Sequence, residues 1–215
     1  MMDALCKEHS YIESIQPRVI AEIGCGSGVV ISFLAKYFHG VQCFCTDINS
    51  DAVRLAMQTA AMNGVSLEAA QADMLGPFES RLHHGIDVLV FNPPYVPTED
   101  AECHASQVTV TPAAKSRPRG EGIVAATWAG GEDGMQVTRR FLGLLDHFLT
   151  SHGLAYVVLM RENNPRQVAA DLKRLGFVCS IVMKRFSSLE HLYIMRIRRD
   201  PSPAAAPPLQ GPAPS

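Results

Sequence analysis

The chain has 215 residues, of which 47% are hydrophobic and 19% are charged. That length suits one domain with a core large enough to need no disulfide or metal support. The 19 Lys and Arg residues against 21 Asp and Glu residues leave a net charge of −2, which disfavours a general nucleic-acid binder. No apolar run approaches the ~20 residues of a membrane-spanning helix, and residues 1–16 lack the apolar stretch of a secretory signal.

The predicted elements alternate between short β-rich runs and longer helical stretches. Strands are predicted at residues 18–23, 41–46, 67–71, 86–91, 154–160, 177–184 and 191–197, and helices at 29–38, 50–63, 133–150 and 165–175. This alternation predicts an α/β fold with a doubly wound, mainly parallel sheet of seven strands. The last two strands leave no room for a helix between them, so they are expected to form an antiparallel hairpin at one edge.

Two segments fall outside this pattern. Residues 98–124 lack apolar periodicity and are interpreted as a loop insertion, in which Lys115, Arg117 and Arg119 form a basic stretch. Residues 200–215 consist almost entirely of Pro, Ala, Ser, Gly and Gln, which is typical of a disordered tail. The sequence therefore predicts one domain over residues 1–199.

The six cysteines form no CxxC pair, and Cys43 and Cys45 stand two apart in an apolar run. They are interpreted as small buried hydrophobic residues in a reducing compartment. The sequence thus predicts a cytoplasmic protein, with a nuclear location as the alternative, and no metal site built from this chain alone.

A glycine turn and two acidic residues follow three of the predicted strands. Glu22–Gly28 reads E-I-G-C-G-S-G after the first strand, Asp47 ends the second strand and Asp73 follows the third. The glycines let a ligand approach the backbone and the start of the next helix closely, and Asp47 could accept both hydroxyls of a ribose. Asp73 could accept the exocyclic amine of an adenine. The G-x-G-x-G spacing departs from the dinucleotide fingerprint and favours a nucleoside cofactor without a pyrophosphate, such as S-adenosylmethionine.

The segment Asn92-Pro93-Pro94-Tyr95 directly follows the apolar run at 86–91. The two prolines stiffen the turn, and the Pro93 carbonyl stays outside the sheet ladder. The Asn92 side-chain oxygen and the Pro93 carbonyl are two acceptors that could converge on one NH₂ group, while Tyr95 could lie flat against a planar amide or base. This arrangement predicts methyl transfer to a planar nitrogen, promoted by hydrogen bonding and proximity.

These motifs resemble a known family. E-I-G-C-G-S-G, T-D-I-N, A-D-M and V-F-N-P-P-Y are similar to motifs of the class I methyltransferases that modify planar nitrogens, which have a Rossmann-like fold. Within that class the chain resembles the HemK-like protein glutamine methyltransferases, in their eukaryotic branch. The W-A-G-G segment at Trp128–Gly131 and the R-E-N-N-P segment at Arg161–Pro165 support that branch.

The resemblance implies S-adenosylmethionine-dependent N5-methylation of the glutamine in the Gly-Gly-Gln loop of a class I translation release factor. It implies Asn92, Pro93, Pro94 and Tyr95 as the catalytic residues, with Trp128–Gly131 near the mouth of the site. It also implies a small zinc-containing activator subunit as partner, placed near residues 67–70. The implied cofactor-binding residues are Glu22, Gly24, Gly26, Gly28, Asp47, Asp73, Met74 and Asn92.

Other functions stay open at this point. The N-P-P-Y motif is shared with nucleic-acid adenine methyltransferases, and a protein lysine is a further possible acceptor. Relatives carry a segment of the Tyr-x-Pro-x-Glu-Asp-Thr type that closes over the cofactor, and it would precede Met1 in this chain. If that lid is missing, the chain would be a non-catalytic binding subunit.

Overall fold

The computed structural model describes residues 1–94, 134–186 and 191–201. In chain order the described elements are α1 (Met2–Lys7), α2 (His9–Ser14), β1 (Val19–Ile23), α3 (Val29–Tyr37), β2 (Gln42–Asp47), α4 (Ser50–Met62), β3 (Glu68–Gln71), a 3-10 turn (Gly76–Phe78), α5 (Glu79–Leu82), β4 (Ile86–Phe91), α6 (Gln136–Phe148), β5 (Leu149–Met160), α7 (Pro165–Arg174), β6 (Phe177–Phe186) and β7 (His191–Arg199). No helix of this described part is long and apolar enough to cross a membrane.

The strands form one sheet in the order β3-β2-β1-β4-β5-β7-β6. Neighbouring strands from β3 to β5 are parallel, and β7 is antiparallel to both β5 and β6. The predicted α/β architecture of six parallel strands and one antiparallel strand is confirmed, with the β6–β7 hairpin at one edge. Because the chain winds outwards from β1 in both directions, the carboxyl ends of β3, β2, β1, β4 and β5 share one edge of the sheet.

Helices cover both faces of the sheet. Alternate residues of the fully buried strand β4 serve the two cores: Val88 and Val90 pack with residues of α1 to α4, whereas Leu89 and Phe91 pack with residues of α5, α6 and α7. A strand buried on both faces favours apolar residues on both, which explains why the run at 86–91, apart from Asp87, shows no alternation of apolar and polar residues.

A buried carboxylate ties three strands together at the amino edge. The Oδ2 atom of Asp87 accepts the backbone N–H groups of Arg18 and Val19, at 2.8 and 3.1 Å. Its Oδ1 atom accepts the Thr150 hydroxyl at 3.0 Å and lies 3.1 Å from His152 Nε2. These contacts align the starts of β1, β4 and β5, so the opposite ends of the strands are held in register for a site.

The sequence prediction missed three helices and placed one boundary wrongly. The helices α1, α2 and α5 were not predicted, although Ala4, Leu5, Ile12 and Leu82 are buried. The helix predicted over 133–150 ends at Phe148, because Leu149 pairs with Ile86 and begins β5. The predicted start of that strand at 154 is therefore five residues too late.

Candidate active site

The glycine turn after β1 is braced by neighbouring elements. The Cys25 N–H donates to the Thr46 carbonyl at the end of β2, at 3.0 Å, and the Gly28 N–H donates to the Cys25 carbonyl at 2.7 Å. From α4, the Thr59 hydroxyl donates to the Ser27 carbonyl at 2.7 Å. The turn is therefore held in one shape before any ligand arrives.

Two positions of the turn are occupied by glycine for different structural reasons. Gly28 has φ +71°, and a Cβ there would lie 2.5 Å from the Cα of Ala56 in α4. Gly26 has φ +50°, and no atom lies within 4 Å of the position that its Cβ would take. Gly28 thus allows α3 to pack on α4, whereas Gly26 leaves open the space in front of the turn.

Asp47 connects the end of β2 to this turn. Its Oδ2 atom accepts the Gly26 N–H and its Oδ1 atom accepts the Asn49 N–H, both at 2.9 Å. The residue is 8% exposed. A carboxylate has about four acceptor positions, so each oxygen keeps one for a ligand. Two acceptors at one strand end suit the adjacent hydroxyls of a ribose.

Glu22 lies behind the turn at 3% exposure, and its Oε2 atom accepts the Ile31 N–H in the first turn of α3 at 3.0 Å. Burial raises its pKa well above the usual range, the neighbouring Cys25 and Asp47 raise it further, and the Ile31 N–H opposes the shift. Glu22 therefore supports the helix that the turn opens.

Asp73 and Met74 follow β3 at the same edge. Met74 is buried in a left-handed conformation with φ +50°, while the carboxylate of Asp73 is exposed. The Asp73 Oδ2 atom accepts an N–H of Arg140 in α6, at 2.5 Å. Arg140 was missed by the sequence reasoning, because the two residues are 67 positions apart and no local pattern links them. This contact occupies one acceptor position of Oδ2 and leaves the Oδ1 atom for a purine amine.

Asn92 follows β4 beside the glycine turn. Phe91 pairs with Ile23, the last residue of β1, and its ring lies 3.7 Å from the position that a Cβ of Gly24 would take. The ring also packs against Phe141 at 4.8 Å between centroids. Asn92 is exposed, whereas Pro93 is buried. The end of β4 is thus anchored by Phe91 and presents the Asn92 side chain outwards.

The structure brings the predicted site residues to one edge. Asp73, Asp47, Gly24 and Asn92 lie at or just beyond the ends of four adjacent strands, β3, β2, β1 and β4. At a strand spacing of about 4.8 Å, they span about 15 Å. Tyr95, Trp128–Gly131 and the predicted loop at 98–124 lie outside the described residues.

The chemistry of this edge fits S-adenosylmethionine. Asp47 offers two acceptors for ribose hydroxyls, Asp73 offers one for an adenine amine, and Gly26 leaves the space in front of the turn open. All three groups are acidic or neutral, which suits a ligand that carries a positive sulfonium centre and no phosphate.

Comparison with known proteins shows the family to which the chain is similar. The family model for the methyltransferase small domain matches residues 9–127. The chain is 34% identical to methyltransferase HEMK2 of Mus musculus over 200 residues, which cover 93% of this chain and 85% of that protein. It is 32% identical over 213 residues to the eRF1 methyltransferase catalytic subunit mtq2 of Schizosaccharomyces pombe, at the same coverage.

Solved structures show the same fold. The structure of the E. cuniculi Mtq2-Trm112 complex, described as responsible for methylation of the eRF1 translation termination factor, has a TM-score of 0.62 and 24% identity. The match covers 93% of this chain and 92% of that one. The fold is therefore that of the class I methyltransferases.

The chain belongs to the methyltransferase small domain family and, within it, to the HemK-like methyltransferases of the eukaryotic branch. It is an S-adenosylmethionine-dependent methyltransferase, so the predicted class, cofactor and fold are confirmed.

Proposed function

We propose that this protein transfers a methyl group from S-adenosylmethionine to the side-chain nitrogen of the glutamine in the Gly-Gly-Gln loop of a class I translation release factor. The observation that carries the proposal is the placement of Asn92 and Pro93 at the end of β4, directly beside the glycine turn after β1. The similarity to the S. pombe catalytic subunit, whose name gives eRF1 as the acceptor, supports this choice of substrate.

The chain's own residues would hold the acceptor nitrogen in place. A glutamine amide has its lone pair delocalised and is a poor nucleophile. The Asn92 Oδ1 atom and the Pro93 carbonyl can each accept one of its N–H groups, which returns electron density to nitrogen and aligns it for attack. When bound, S-adenosylmethionine supplies the methyl group on its sulfonium. The amide nitrogen gains the new N–C bond as the S–C bond breaks, and its proton then leaves to solvent.

A small zinc-containing activator subunit is proposed as the partner of this chain, in line with the Trm112 of the E. cuniculi complex. The strand β3 is an edge strand of four residues, with Ala69 and Ala70 half-buried. Nearby on α4, Met62 is 89% exposed. An added strand could pair with this edge and cover the adjacent apolar surface. Charge at the edge should therefore weaken the complex: Ala70→Arg is expected to reduce co-purification. The matched control is Ala170→Arg, the same change at an exposed position of α7 near the opposite edge of the sheet, which is expected to leave it unchanged.

A labelling experiment tests the acceptor. The protein, co-expressed with its activator subunit, is incubated with methyl-labelled S-adenosylmethionine and a purified release factor. Label is expected on the wild-type factor and not on a factor with Gln→Ala in its Gly-Gly-Gln loop. Equal label on both factors would overturn the proposal. Label on a lysine or on added RNA would identify that group as the acceptor instead of the glutamine.

The compartment proposed for this activity is the cytoplasm, where translation terminates. The cysteines of the described part, Cys6, Cys25, Cys43, Cys45 and Cys179, are free thiols, which supports a reducing compartment.

A further inference from the structure

A second concave surface lies on the other half of the sheet, away from the cofactor edge. It is a groove of about 610 Å³ between α7 and the β5-β7-β6 end of the sheet. Its lining combines an apolar floor, which includes Ala169, Ile181 and Met195, with the basic side chains of Arg161, Arg166 and Lys184. Among the described residues that line it there is no Asp or Glu. We refer to it below as the basic groove.

A β-bulge turns Lys184 towards this groove. Ile181 pairs with Met195, and the register then shifts so that Met183 pairs with Ile194 and Lys184 with Tyr193. Without the extra residue, position 183 would share the face of Ile181 and Lys184 would point to the opposite face. The bulge instead buries Met183 in the core on the α1 face, and the Lys184 ammonium lies 5.8 Å from the Tyr193 ring centroid. The backbone irregularity thus places a cation in the groove.

The cations of the groove lack acidic partners within the described part of the chain, whereas three arginines of the neighbouring strands have them. Arg185 pairs with Asp3, Arg196 with Glu8 and Arg199 with Asp146. No such pair is made by Arg161, Arg166 or Lys184 among residues 1–94, 134–186 and 191–201, and all three are exposed. No carboxylate of the described residues therefore neutralises the positive charge of the groove, which leaves it available to a ligand.

The basic groove starts one strand away from Asn92. Phe91 pairs with Val157 in β5, and β5 continues to Met160, after which Arg161 enters the groove. A protein whose glutamine reaches Asn92 could therefore lay its flanking chain along this surface.

We propose that the basic groove binds an acidic segment of the protein acceptor, outside the loop that is methylated. This inference rests on the proposed function. An apolar floor with three cations that have no acidic partner in the described part of the chain matches a peptide that carries Asp or Glu between apolar residues. A nucleic acid would need a longer run of free cations, but Arg185, Arg196 and Arg199 around the groove are paired with acidic residues. The net charge of −2 also gives no general attraction for phosphates.

A direct binding measurement tests the groove without any methyl transfer. The protein with its activator subunit is titrated into a fluorescently labelled oligo-glutamate peptide, and anisotropy is followed at low and at moderate salt. Wild type is expected to bind, and more weakly as salt screens the charges. Lys184→Glu and Arg161→Glu should each weaken binding about tenfold. The matched control is Lys173→Glu, which makes the same charge change on the exposed last turn of α7, outside the groove lining.

Loss of binding by the Lys173 variant equal to that of the Lys184 variant would overturn the proposal, because net charge alone would then explain the effect. Stronger binding of labelled oligo-uridine RNA than of oligo-glutamate would also overturn it and assign the groove to nucleic acid. Thermal melts confirm that each variant is folded, and Lys184→Gln, a milder change, should show a smaller loss of the same kind.

Kinetics with the release factor complete the test. Lys184→Glu should raise the KM for the whole factor about tenfold and leave kcat within about twofold, since its charge acts on docking rather than on transfer. An unchanged KM would overturn the proposal. If wild type methylates no release factor, the proposed function fails, and the peptide titration still decides separately whether the groove binds acidic chains.

Discussion

At the scale of single residues, the site separates the groups that hold the cofactor from those that hold the acceptor. Asp47 is built into the turn after β1 through the N–H groups of Gly26 and Asn49. Asn92 stands on the next strand, exposed at the end of β4. Because the two side chains lie on different strands, substitutions should affect cofactor binding and methyl transfer independently.

Replacing Asn92 with Ala is expected to abolish methyl transfer and to leave the cofactor dissociation constant within a few fold. The reason is that the Asn92 amide oxygen is assigned to the acceptor N–H, so its loss removes alignment of the nucleophile. Single-turnover transfer to the release factor and calorimetric titration with S-adenosylmethionine measure the two quantities on one sample.

Asp47→Ala is expected to affect cofactor binding rather than methyl transfer, and it serves as the control for the Asn92 variant. It should cost about 1–3 kcal/mol of cofactor binding free energy, the range for a lost hydrogen bond to a charged group. Transfer at saturating cofactor should fall much less than in the Asn92 variant. A large loss of cofactor affinity in the Asn92 variant, with turnover retained, would contradict the assignment of both residues.

The titration of Glu22 should make the free energy of unfolding depend on pH. Burial raises its pKa above the ordinary value of 4.5, so the folded state binds a proton that the unfolded state has already released. Stability contributed by this group is therefore present below pH 4.5 and is lost as pH rises towards the raised pKa. Glu22→Gln keeps an acceptor for the Ile31 N–H and removes the titration.

Urea unfolding of wild type and the Glu22→Gln variant across the range from pH 4.5 upwards measures this effect. The stability of wild type relative to the variant is expected to decrease as pH rises. A difference that stays constant with pH would show that Glu22 titrates at the same pH in both states.

At the scale of secondary-structure elements, the sequence predicted what depends on local pattern. The continuous apolar run of β4 and the Asn49 cap of α4 were both found, since each is written in consecutive residues. The helices α1 and α2 were missed, because each has only six residues and neither has a side-chain cap. Their burial against distant strands stabilises them, and this is a tertiary effect that no window of the sequence reports.

In the candidate site, too, the sequence predicted only what depends on local pattern and strand order. Residues that end strands, such as Asp47 and Asn92, could be placed because parallel strands align their carboxyl ends. The pairing of Asp73 with Arg140 could not be predicted, because it joins elements that are distant in the sequence. The orientation of Lys184 could not be predicted either, because it depends on a β-bulge. Both come from the packing of elements on one another.

The contact between α3 and α4 at Gly28 gives a prediction at this scale. Gly28→Ala should lower the free energy of unfolding by about 2–4 kcal/mol, because the new Cβ would overlap the backbone of Ala56 and the φ of +71° is unfavourable for alanine. Gly26→Ala, at φ +50° with open space around it, should cost only about 1 kcal/mol.

Equilibrium unfolding in urea compares the two variants, and cofactor titration gives the second readout. The Gly26 variant should lose cofactor affinity out of proportion to its small loss of stability, since its methyl group enters the space in front of the turn. Similar stability losses for the two variants would refute the packing role of Gly28.

At the scale of the whole molecule, the two ends of the domain meet. Glu8, at the junction of α1 and α2, accepts hydrogen bonds from the Tyr156 hydroxyl at 3.1 Å and from Arg196 at 2.5 Å. The Arg196 guanidinium also lies 3.8 Å from the centroid of the Tyr11 ring. Burial and the Glu8 carboxylate raise the pKa of Tyr156, so its hydroxyl remains a donor at neutral pH. This cluster joins α1 and α2 to β5, 148 positions after Glu8, and to β7, 188 positions after it.

Removing this carboxylate should loosen the amino-terminal helices from the sheet. Glu8 is half-buried, with a side chain 15% exposed against 17% for Arg196. Its replacement by Ala would leave Arg196 without its partner, at a cost of about 2–4 kcal/mol in the free energy of unfolding, somewhat below the range for a fully buried pair. Asp3→Ala, in α1, breaks the exposed ion pair with Arg185 of β6 and should cost at most about 1 kcal/mol.

Chemical unfolding with amide hydrogen exchange distinguishes the two changes. In the Glu8 variant the amides of α1 and α2 should exchange faster than those of β4, because the helices can open while the central sheet stays folded. In the Asp3 variant exchange over residues 2–14 should stay close to wild type. If the two variants lose the same stability, or if β4 exchanges as fast as α2, the cluster around Glu8 does not anchor the helices, and the apolar contacts of Leu5 and Ile12 hold them instead.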